Sequence, residues 1–348
     1  MYIRRILVAV AILIALGMGG FSYFVYDVLL TPNTSFEENQ VNIYIKSDAN
    51  YPEVYRQLKP FLKSPEKFDR VALQKKYISN VRPGRFILEK DMSNNDIISV
   101  LRSGNTPVHI IFNNQDRLTE LAGRIAEQIE ADSTELIKAM TDSLFLAENN
   151  FNQETVLNMY IPNKYEFYWN TSAEQFRKRM LTEYNRFWNE NRLVKAEKIG
   201  LSPTEVQNLA AIVQKETSQV EERERVAGVY MNRINKNWKL EADPTVIYAL
   251  KNRGLNYDTT TIKRVLYKDL EIESPYNTYL HEGIPPGPIA MPDISSIDAV
   301  LNYENHDYFF FVADPKNPGY HMFAKTYAQH NRNKQHYIKW LRKMSINR

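Results

Sequence analysis

An uncharged, apolar segment over residues 6–26 most constrains what this chain can fold into. Apart from tyrosines, its only polar side chain is Ser22. A helix of that length spans the hydrocarbon core of a bilayer. Arg4 and Arg5 precede the segment and Asp27 follows it, which predicts a cytoplasmic tail of residues 1–5 and translocation of the rest. The alternative is a cleaved signal peptide. An uncleaved anchor is favoured because the segment is longer than a signal-peptide core and residues 22–26 offer no small-residue cleavage site.

Composition narrows the possible functions. The chain has 348 residues, of which 43% are hydrophobic, enough for two compact units beyond the anchor. It contains no cysteine, which excludes disulfides, a thiol nucleophile and thiolate metal sites. The net charge is only +3 and no basic tract is dense, so nucleic acid is not an expected partner. The histidines lack metal-ligand spacing and no phosphate-binding loop occurs, so we expect neither a metal nor a cofactor.

The region after the anchor predicts a small α+β unit. Residues 27–40 form a linker, and residues 41–105 contain a strand, two helices, a second strand and a third helix. The first strand is predicted over residues 41–45 and the second over residues 86–88. The helices are predicted over residues 51–61 and 71–77 and from Ser93, an N-cap residue, to Gly104.

The remaining residues, 106–348, predict a larger domain of mixed helices and strands. Amphipathic helices are expected over residues 118–129, 133–144 and 172–191, and a strand over residues 108–112. Paired strands are expected over residues 308–312 and 320–323, around a turn containing Pro315 and Gly319. The fold class is therefore α+β, with an N-terminal transmembrane helix.

The candidate for chemistry lies in a helix predicted to begin at Ser202. Ser202 serves as N-cap, Pro203 as the first helical residue, and Glu205 completes a capping box. A buried stripe follows at helical spacing, formed by Val206, Leu209, Ala210 and Val213. Glu216 falls on the flank of that stripe, between Ile212 and Val220. Partial burial there would raise the pKa of its carboxyl group, which suits a general acid for cleavage of a glycosidic bond. Taken alone, a surface acid is the commoner interpretation.

Several ordered blocks resemble the endolytic murein transglycosylases, the YceG-like family. They occupy residues 212–217, 224–233, 243–248, 276–279, 283–289, 311–314, 321–323 and 330–331. Such a series is far more specific than one short motif. The resemblance implies that Glu216 is the catalytic acid. It also implies a LysM-like peptidoglycan-binding module at residues 41–105 and a catalytic domain at 106–348, with its core motifs at 202–331. Family members often have a second Glu where this chain has Gln214. The two positions differ by about 200° around the helix, so only Glu216 is needed.

The resemblance further implies a single-pass protein of the cell inner membrane with a periplasmic catalytic domain. Its expected partners are peptidoglycan glycan strands and the cell-wall synthesis machinery. The implied reaction cleaves the bond between N-acetylmuramic acid (MurNAc) and N-acetylglucosamine (GlcNAc) inside a strand and leaves 1,6-anhydro-MurNAc ends. Glu216 would act first as acid and then as base.

Two other functions stay open at this point. A hydrolytic muramidase would use Asp243 as a second carboxylate, although Asp243-Pro244 also predicts an N-cap followed by the first residue of a helix. A non-catalytic, membrane-anchored scaffold would only bind the wall. Arg233 is more readily explained by a structural role than by a substrate contact, and Asn232 could either bind sugar amides or support a turn.

Two loops, residues 276–279 and 283–288, are the expected walls of the substrate groove. The tyrosines offer flat faces to sugar rings, an amide can bond an N-acetyl group, and prolines with glycines specify a fixed path. The candidate substrate-binding residues are Tyr276, Asn277, Tyr279, Pro286, Gly287 and His321. For each one a purely structural role is the alternative.

Overall fold

The computed structural model describes residues 2–252, 262 and 265–344. The first helix, α1, covers Tyr2–Leu29 and contains the predicted apolar segment. By length and composition it can cross a membrane. The chain then divides into two compact units. The first consists of Met1–Ile110, Ala126–Ala131 and Tyr165–Ser172, and the second of Ile111–Ile125, Asp132–Lys164 and Ala173–Arg348.

The first unit has the predicted order of strand, helix, helix, strand and helix. Strands β1 (Gln40–Ile45) and β2 (Gly84–Glu89) pair antiparallel, with Ile45 opposite Gly84. The helices are α2 (Tyr51–Leu58), α3 (Pro65–Gln74) and α4 (Asn94–Ser103). Capping boxes begin α2 and α4, which explains why these short helices start where they do. Ile43, Phe68 and Phe86 are almost fully buried between the strands and the helices.

The second unit is mainly helical. Strands β3 (Val108–Phe112) and β4 (Asn163–Phe167) form a two-stranded sheet, and each strand has residues in both units. Between them lie α5 (Leu118–Ala126), α6 (Ser133–Met140) and α7 (Ser143–Glu148), and after them α8 (Ala173–Phe187) and α9 (Glu190–Lys198). Next come α10 (Pro203–Glu216), α11 (Arg223–Asn235), α12 (Asp243–Lys251) and α13 (Ile294–Leu301). The last elements are the antiparallel pair β5 (Phe310–Ala313) and β6 (His321–Ala324), and α14 (Tyr327–Lys343).

Helix α10 is the centre of this unit. It packs against α9, α11, α12 and α13, and its predicted apolar stripe is completely buried. The opposite face is also covered, because Gln207 and Asn208 are buried and hydrogen-bonded. The Asn208 amide donates to the Pro285 carbonyl at 3.0 Å, and the Gln207 amide donates to the Asn158 carbonyl at 2.8 Å. These bonds satisfy polar groups that would be costly to bury alone, and the Asn208 bond ties the helix to the loop over residues 283–289.

Candidate active site

Glu216 is the last residue of α10. The Ser202 cap, Pro203 and the Glu205 capping box all form as predicted, while Thr217 ends the helix in an extended conformation. The predicted flank with Val220 is wrong, because the helix stops before that residue and its side chain is 55% exposed. Glu216 is nevertheless half-buried. Its surroundings come from other elements, not from its own helix.

Tyr230 of α11 provides the most direct contact to Glu216. Its hydroxyl donates to the Oε1 atom of Glu216 at 2.7 Å, and the tyrosine is only 1% exposed. Burial raises the pKa of the Glu216 carboxyl from 4.5 to about 7, against the opposing effect of the Tyr230 hydrogen bond. The charge of Asp243 raises this pKa further, whereas His321 and Arg233 lower it. Burial and the adjacent carboxyl group also raise the pKa of Tyr230 well above its usual value, so it remains a donor at neutral pH.

Asp243 contacts the site and does not cap a helix. The predicted N-cap is wrong, since Ala242 takes that position and Asp243 is already the first residue of α12. The Asp243 carboxylate accepts the Tyr279 hydroxyl at 2.7 Å. Burial and this bond raise the pKa of Tyr279. The second carboxylate considered from the sequence therefore lies beside Glu216, held by one of the predicted groove tyrosines.

A cavity of about 260 Å³ brings these groups together. Acidic and aromatic side chains, tyrosines among them, make up most of its lining. The lining residues are Glu216, Tyr230, Arg233, Leu240, Glu241, Asp243, Tyr279, Phe310, Phe311, Tyr327 and His330. Among these described residues the carboxylates of Glu241 and Asp243 accompany Glu216, and Arg233 is the one guanidinium, so the cavity is mainly acidic.

Arg233 is largely committed to the backbone. The side chain is buried; its Nε atom donates to the Phe309 carbonyl at 2.9 Å and Nη1 donates to the Leu240 carbonyl at 2.7 Å. Nη1 also lies 3.3 Å from the Glu241 carboxylate. The neighbouring Asn232 amide donates to the carbonyls of His306 and Tyr308. Both residues hold the segment that leads into β5.

His321 is fixed by a buried carboxylate. The Glu222 side chain is 5% exposed and accepts the His321 backbone N–H at 2.8 Å, while the imidazole Nδ1 lies 2.7 Å from its other oxygen. Thr217 donates to the same carboxylate at 3.2 Å. Glu222 thus links the end of α10 to β6. The His321 ring packs against Phe311, which lines the cavity.

The other predicted groove residues are placed differently. Asn277 is fully buried, and its amide donates to the carbonyls of Leu270 and Ile272 at 2.9 Å. Its Oδ1 atom accepts the Tyr279 backbone N–H at 3.0 Å. Because these bonds lie within its own loop, the structure does not bring Asn277 to the cavity; it braces the loop that carries Tyr279.

Tyr276, Pro286 and Gly287 also lie outside the lining of this cavity. The Tyr276 ring contacts the Tyr248 ring in a tilted arrangement with centroids 4.7 Å apart, and Pro286 is exposed. Gly287 is buried where a Cβ atom would overlap the Glu154 carbonyl oxygen and approach the Tyr276 hydroxyl to 2.8 Å. A close approach of two backbone segments therefore explains this glycine.

Gln214 has a structural role. Its Oε1 atom accepts the Asp293 backbone N–H and the Ser296 hydroxyl, at the start of α13. Its amide lies 3.4 Å from the Met291 carbonyl. Within the described part of the chain, no group of three or more His, Asp or Glu side chains is arranged to hold a metal ion.

Sequence reasoning missed the partner of Glu216. Tyr230 is not among the candidate site residues of the sequence analysis, and its hydroxyl meets Glu216 because α10 and α11 pack together. No local pattern reports such a contact. The one available signal was the polar atom of a tyrosine on an apolar face, which when buried usually finds a hydrogen-bond partner.

A half-buried carboxyl group with a raised pKa, facing an aromatic cleft and a second carboxylate, is the arrangement of enzymes that cleave glycosidic bonds by acid–base catalysis. Comparison of this chain with known protein families and structures leads to the same class of enzyme. The YceG-like family matches residues 43–336, and the chain belongs to that family.

Curated relatives and a solved structure support this membership. The endolytic murein transglycosylase of Bacillus subtilis is 32% identical over 331 residues, covering 89% of this chain and 88% of that protein. The endolytic murein transglycosylase of Streptococcus pneumoniae is 26% identical over 95% of this chain and 64% of its own length. The crystal structure of a YceG-like protein of Listeria monocytogenes superposes with a TM-score of 0.56 at 26% identity, covering 84% of this chain and 98% of that one.

Proposed function

We propose that this chain is a membrane-anchored endolytic transglycosylase that cleaves peptidoglycan glycan strands, with Glu216 as the catalytic acid and then the base. The observation that carries the proposal is the Glu216 carboxyl group, whose pKa burial raises to about 7, opening on a cleft beside Tyr230 and Asp243. An acid that still holds its proton near neutrality can donate it as a bond breaks. Membership of a family whose curated relatives are named endolytic murein transglycosylases supports the same reaction.

The proposed reaction uses one carboxyl group twice. Glu216 protonates the glycosidic oxygen between MurNAc and GlcNAc as the bond from that oxygen to C1 of MurNAc breaks. The ionised Glu216 then takes the proton of the muramoyl C6 hydroxyl, whose oxygen bonds to C1 and closes the 1,6-anhydro ring. Protons and bonds balance without water. The Tyr230 hydroxyl stabilises the ionised carboxylate between the two steps, since it donates to Oε1.

Asp243 fits a supporting electrostatic role in this reaction. Positive charge develops at C1 as the bond breaks, and a carboxylate lining the same cavity stabilises it. The alternative function is hydrolysis, in which Asp243 would activate a water molecule. It is supported by the same observation, that Asp243 lines the cavity with Glu216. The products separate the two reactions, because transglycosylation leaves anhydro ends and hydrolysis leaves reducing ends.

The remaining proposals concern location and partners. Helix α1 would anchor the chain in the cytoplasmic membrane with its N-terminus inside, since Arg4 and Arg5 precede the apolar segment. The catalytic unit would then lie outside the cytoplasm, where peptidoglycan is assembled. Residues 41–105 would serve as a LysM-like glycan-binding module, and the wall-synthesis machinery would supply the nascent strands.

Mass spectrometry of digested peptidoglycan tests the proposal. The full chain in detergent micelles is incubated with purified sacculi, and soluble products are scored for 1,6-anhydro-MurNAc ends. We expect the wild type to cleave bonds inside the strands and to leave 1,6-anhydro-MurNAc ends on the fragments. In Glu216→Gln we expect this activity to fall by about 10²- to 10⁴-fold. Glu205→Gln is the matched control, because it makes the same change in the same helix and Gln also completes a capping box. Full activity in Glu216→Gln would refute the role of this residue, and reducing ends would support the hydrolase.

A further inference from the structure

An exposed aromatic surface borders the cavity that contains Glu216. We call it the aromatic shelf and define it by Trp238, Phe310, Tyr327 and His330. Trp238 is 47% exposed and Tyr327 is 65% exposed, so both rings are open to solvent. Phe310, Tyr327 and His330 also line the cavity. The shelf is therefore continuous with the site of the proposed chemistry.

Phe310 is the centre of the shelf. The His330 ring stacks on it with centroids 5.3 Å apart and planes inclined by 26°, and the Tyr327 ring lies at 6.0 Å. Trp238 lies 6.1 Å away and also contacts Phe309 at 5.0 Å. The guanidinium carbon of Arg233, itself bonded to backbone carbonyls, lies 5.5 Å from the Phe310 ring centre. Phe310 is thus supported from several directions.

The backbone that carries the two exposed rings is well defined. Trp238 follows the end of α11, where Asn237 adopts a left-handed conformation with φ of 55° and the Trp238 N–H donates to the Arg233 carbonyl at 2.8 Å. Tyr327 is the first residue of α14, whose N-cap Thr326 accepts the Gln329 N–H at 3.2 Å. Rigid aromatic faces bind at a low cost in conformational entropy.

The size of the cavity indicates what the shelf would bind. Its volume of about 260 Å³ lies below the usual range for ligand pockets, so it has room for little more than one sugar residue. A glycan strand is a chain of such residues, and the next ones must lie on the surface outside. The aromatic shelf is the apolar surface adjoining the cavity, and aromatic rings pack well against the C–H faces of pyranose rings.

The charges near the shelf favour a neutral ligand. Glu241 and Asp243 line the cavity beside it, and the guanidinium of Arg233 is already bonded to two carbonyls. Carboxylates of a stem peptide would meet like charges here. The ring of a GlcNAc residue brings no charge to this edge, whereas a peptide-free MurNAc residue carries a lactyl carboxylate.

We infer that the aromatic shelf is a sugar-binding subsite that holds an N-acetylhexosamine ring of the glycan strand next to the residue in the cavity. The inference rests on the proposed function and adds a residue-level determinant of strand binding. Trp238 and Tyr327 supply the stacking faces. Phe310 and His330 form the support beneath them.

Binding measured without turnover tests the subsite. In the full-length Glu216→Gln background, peptide-free MurNAc–GlcNAc strands of four disaccharides are titrated by calorimetry in detergent. We expect Trp238→Ala and Tyr327→Ala each to raise Kd about two- to tenfold, and Tyr327→Phe to retain the affinity. Tyr267→Ala is the matched control, because Tyr267 is 83% exposed and does not line the cavity. In chains that keep Glu216, kcat/KM should fall by the same factors.

Three outcomes would overturn the inference. They are an unchanged Kd in both alanine variants, an equal loss in Tyr327→Phe and Tyr327→Ala, or a loss seen only with strands that still bear stem peptides. Failure of the proposed function is separable from these results. It would appear as no cleavage by the wild type, whereas strand binding is measured in a chain that does not need to cleave.

Discussion

Replacing Tyr230 with Phe removes the hydrogen bond to Glu216 and keeps the ring that fills the core. The bond stabilises the charged carboxylate, so its loss should raise the pKa of Glu216 above its value of about 7. A hydrogen bond to a charged group contributes about 1.5–3 kcal/mol. The protonated carboxyl keeps part of this bond, so we take about 1.4 kcal/mol as the difference, which corresponds to about one pH unit.

The direction of the change in activity follows from the role of Glu216. The acid must be protonated when the substrate binds, so kcat/KM of the wild type should fall tenfold per pH unit above about 7. This decline of kcat/KM is the alkaline limb of the pH–rate profile. In the Tyr230→Phe variant the alkaline limb should begin at about pH 8. The base step adds no acid limb, because the carboxylate that acts as base is generated during the reaction.

The assay is the release of anhydro-ended fragments between pH 5 and pH 9. Tyr160→Phe is the matched control, because Tyr160 is also buried and its hydroxyl has no hydrogen-bond partner among the described residues. Its alkaline limb should stay near pH 7. A limb that stays in place or moves to lower pH in Tyr230→Phe would refute the reasoning. A wild-type rate that is flat from pH 6 to pH 9 would refute the assignment of Glu216 as the acid.

Three further predictions use the same site and its supports. Asp243→Asn should move the alkaline limb to lower pH, since the charge of Asp243 adds to the effect of burial in raising the pKa of Glu216; the pH–rate profile measures this. Glu216 binds its proton more tightly in the folded state, so its contribution to stability is complete below pH 4.5 and is lost as pH rises through about 7. The Glu216→Gln variant should therefore be more stable than the wild type at pH 8, by up to about 3 kcal/mol. Thermal melts at pH 4.5 and pH 8 should show that this difference in stability grows with pH. Gly287→Ala should destabilise the chain by about 1–3 kcal/mol through overlap with the Glu154 carbonyl, whereas Gly123→Ala, which meets no atom within 4 Å, should be neutral or stabilising in the same melts.

The local patterns in the sequence predicted most of the secondary structure. The capping box from Ser202 to Glu205 and the apolar stripe were enough to predict α10, because both depend on residues within a few positions of each other. The strands of the first unit and the paired strands β5 and β6 were predicted for the same reason. Local patterns failed at Asp243, where an Asp-Pro pair suggested an N-cap and the helix begins one residue earlier.

The sequence by itself determined an apolar N-terminal helix, an α+β chain and a carboxyl group on the flank of a buried helix stripe, whereas the structure showed that this carboxyl group belongs to the last residue of the helix. Only the tertiary structure decided what surrounds that carboxyl group. Tyr230, Asp243 and the Tyr279 that holds it are brought to Glu216 by the packing of α10, α11 and α12 and by one loop. The same packing buried Asn277, which had been expected in the groove, within its own loop. The pKa of an acid depends on desolvation and on charges within a few ångströms, and residues distant in sequence supply both.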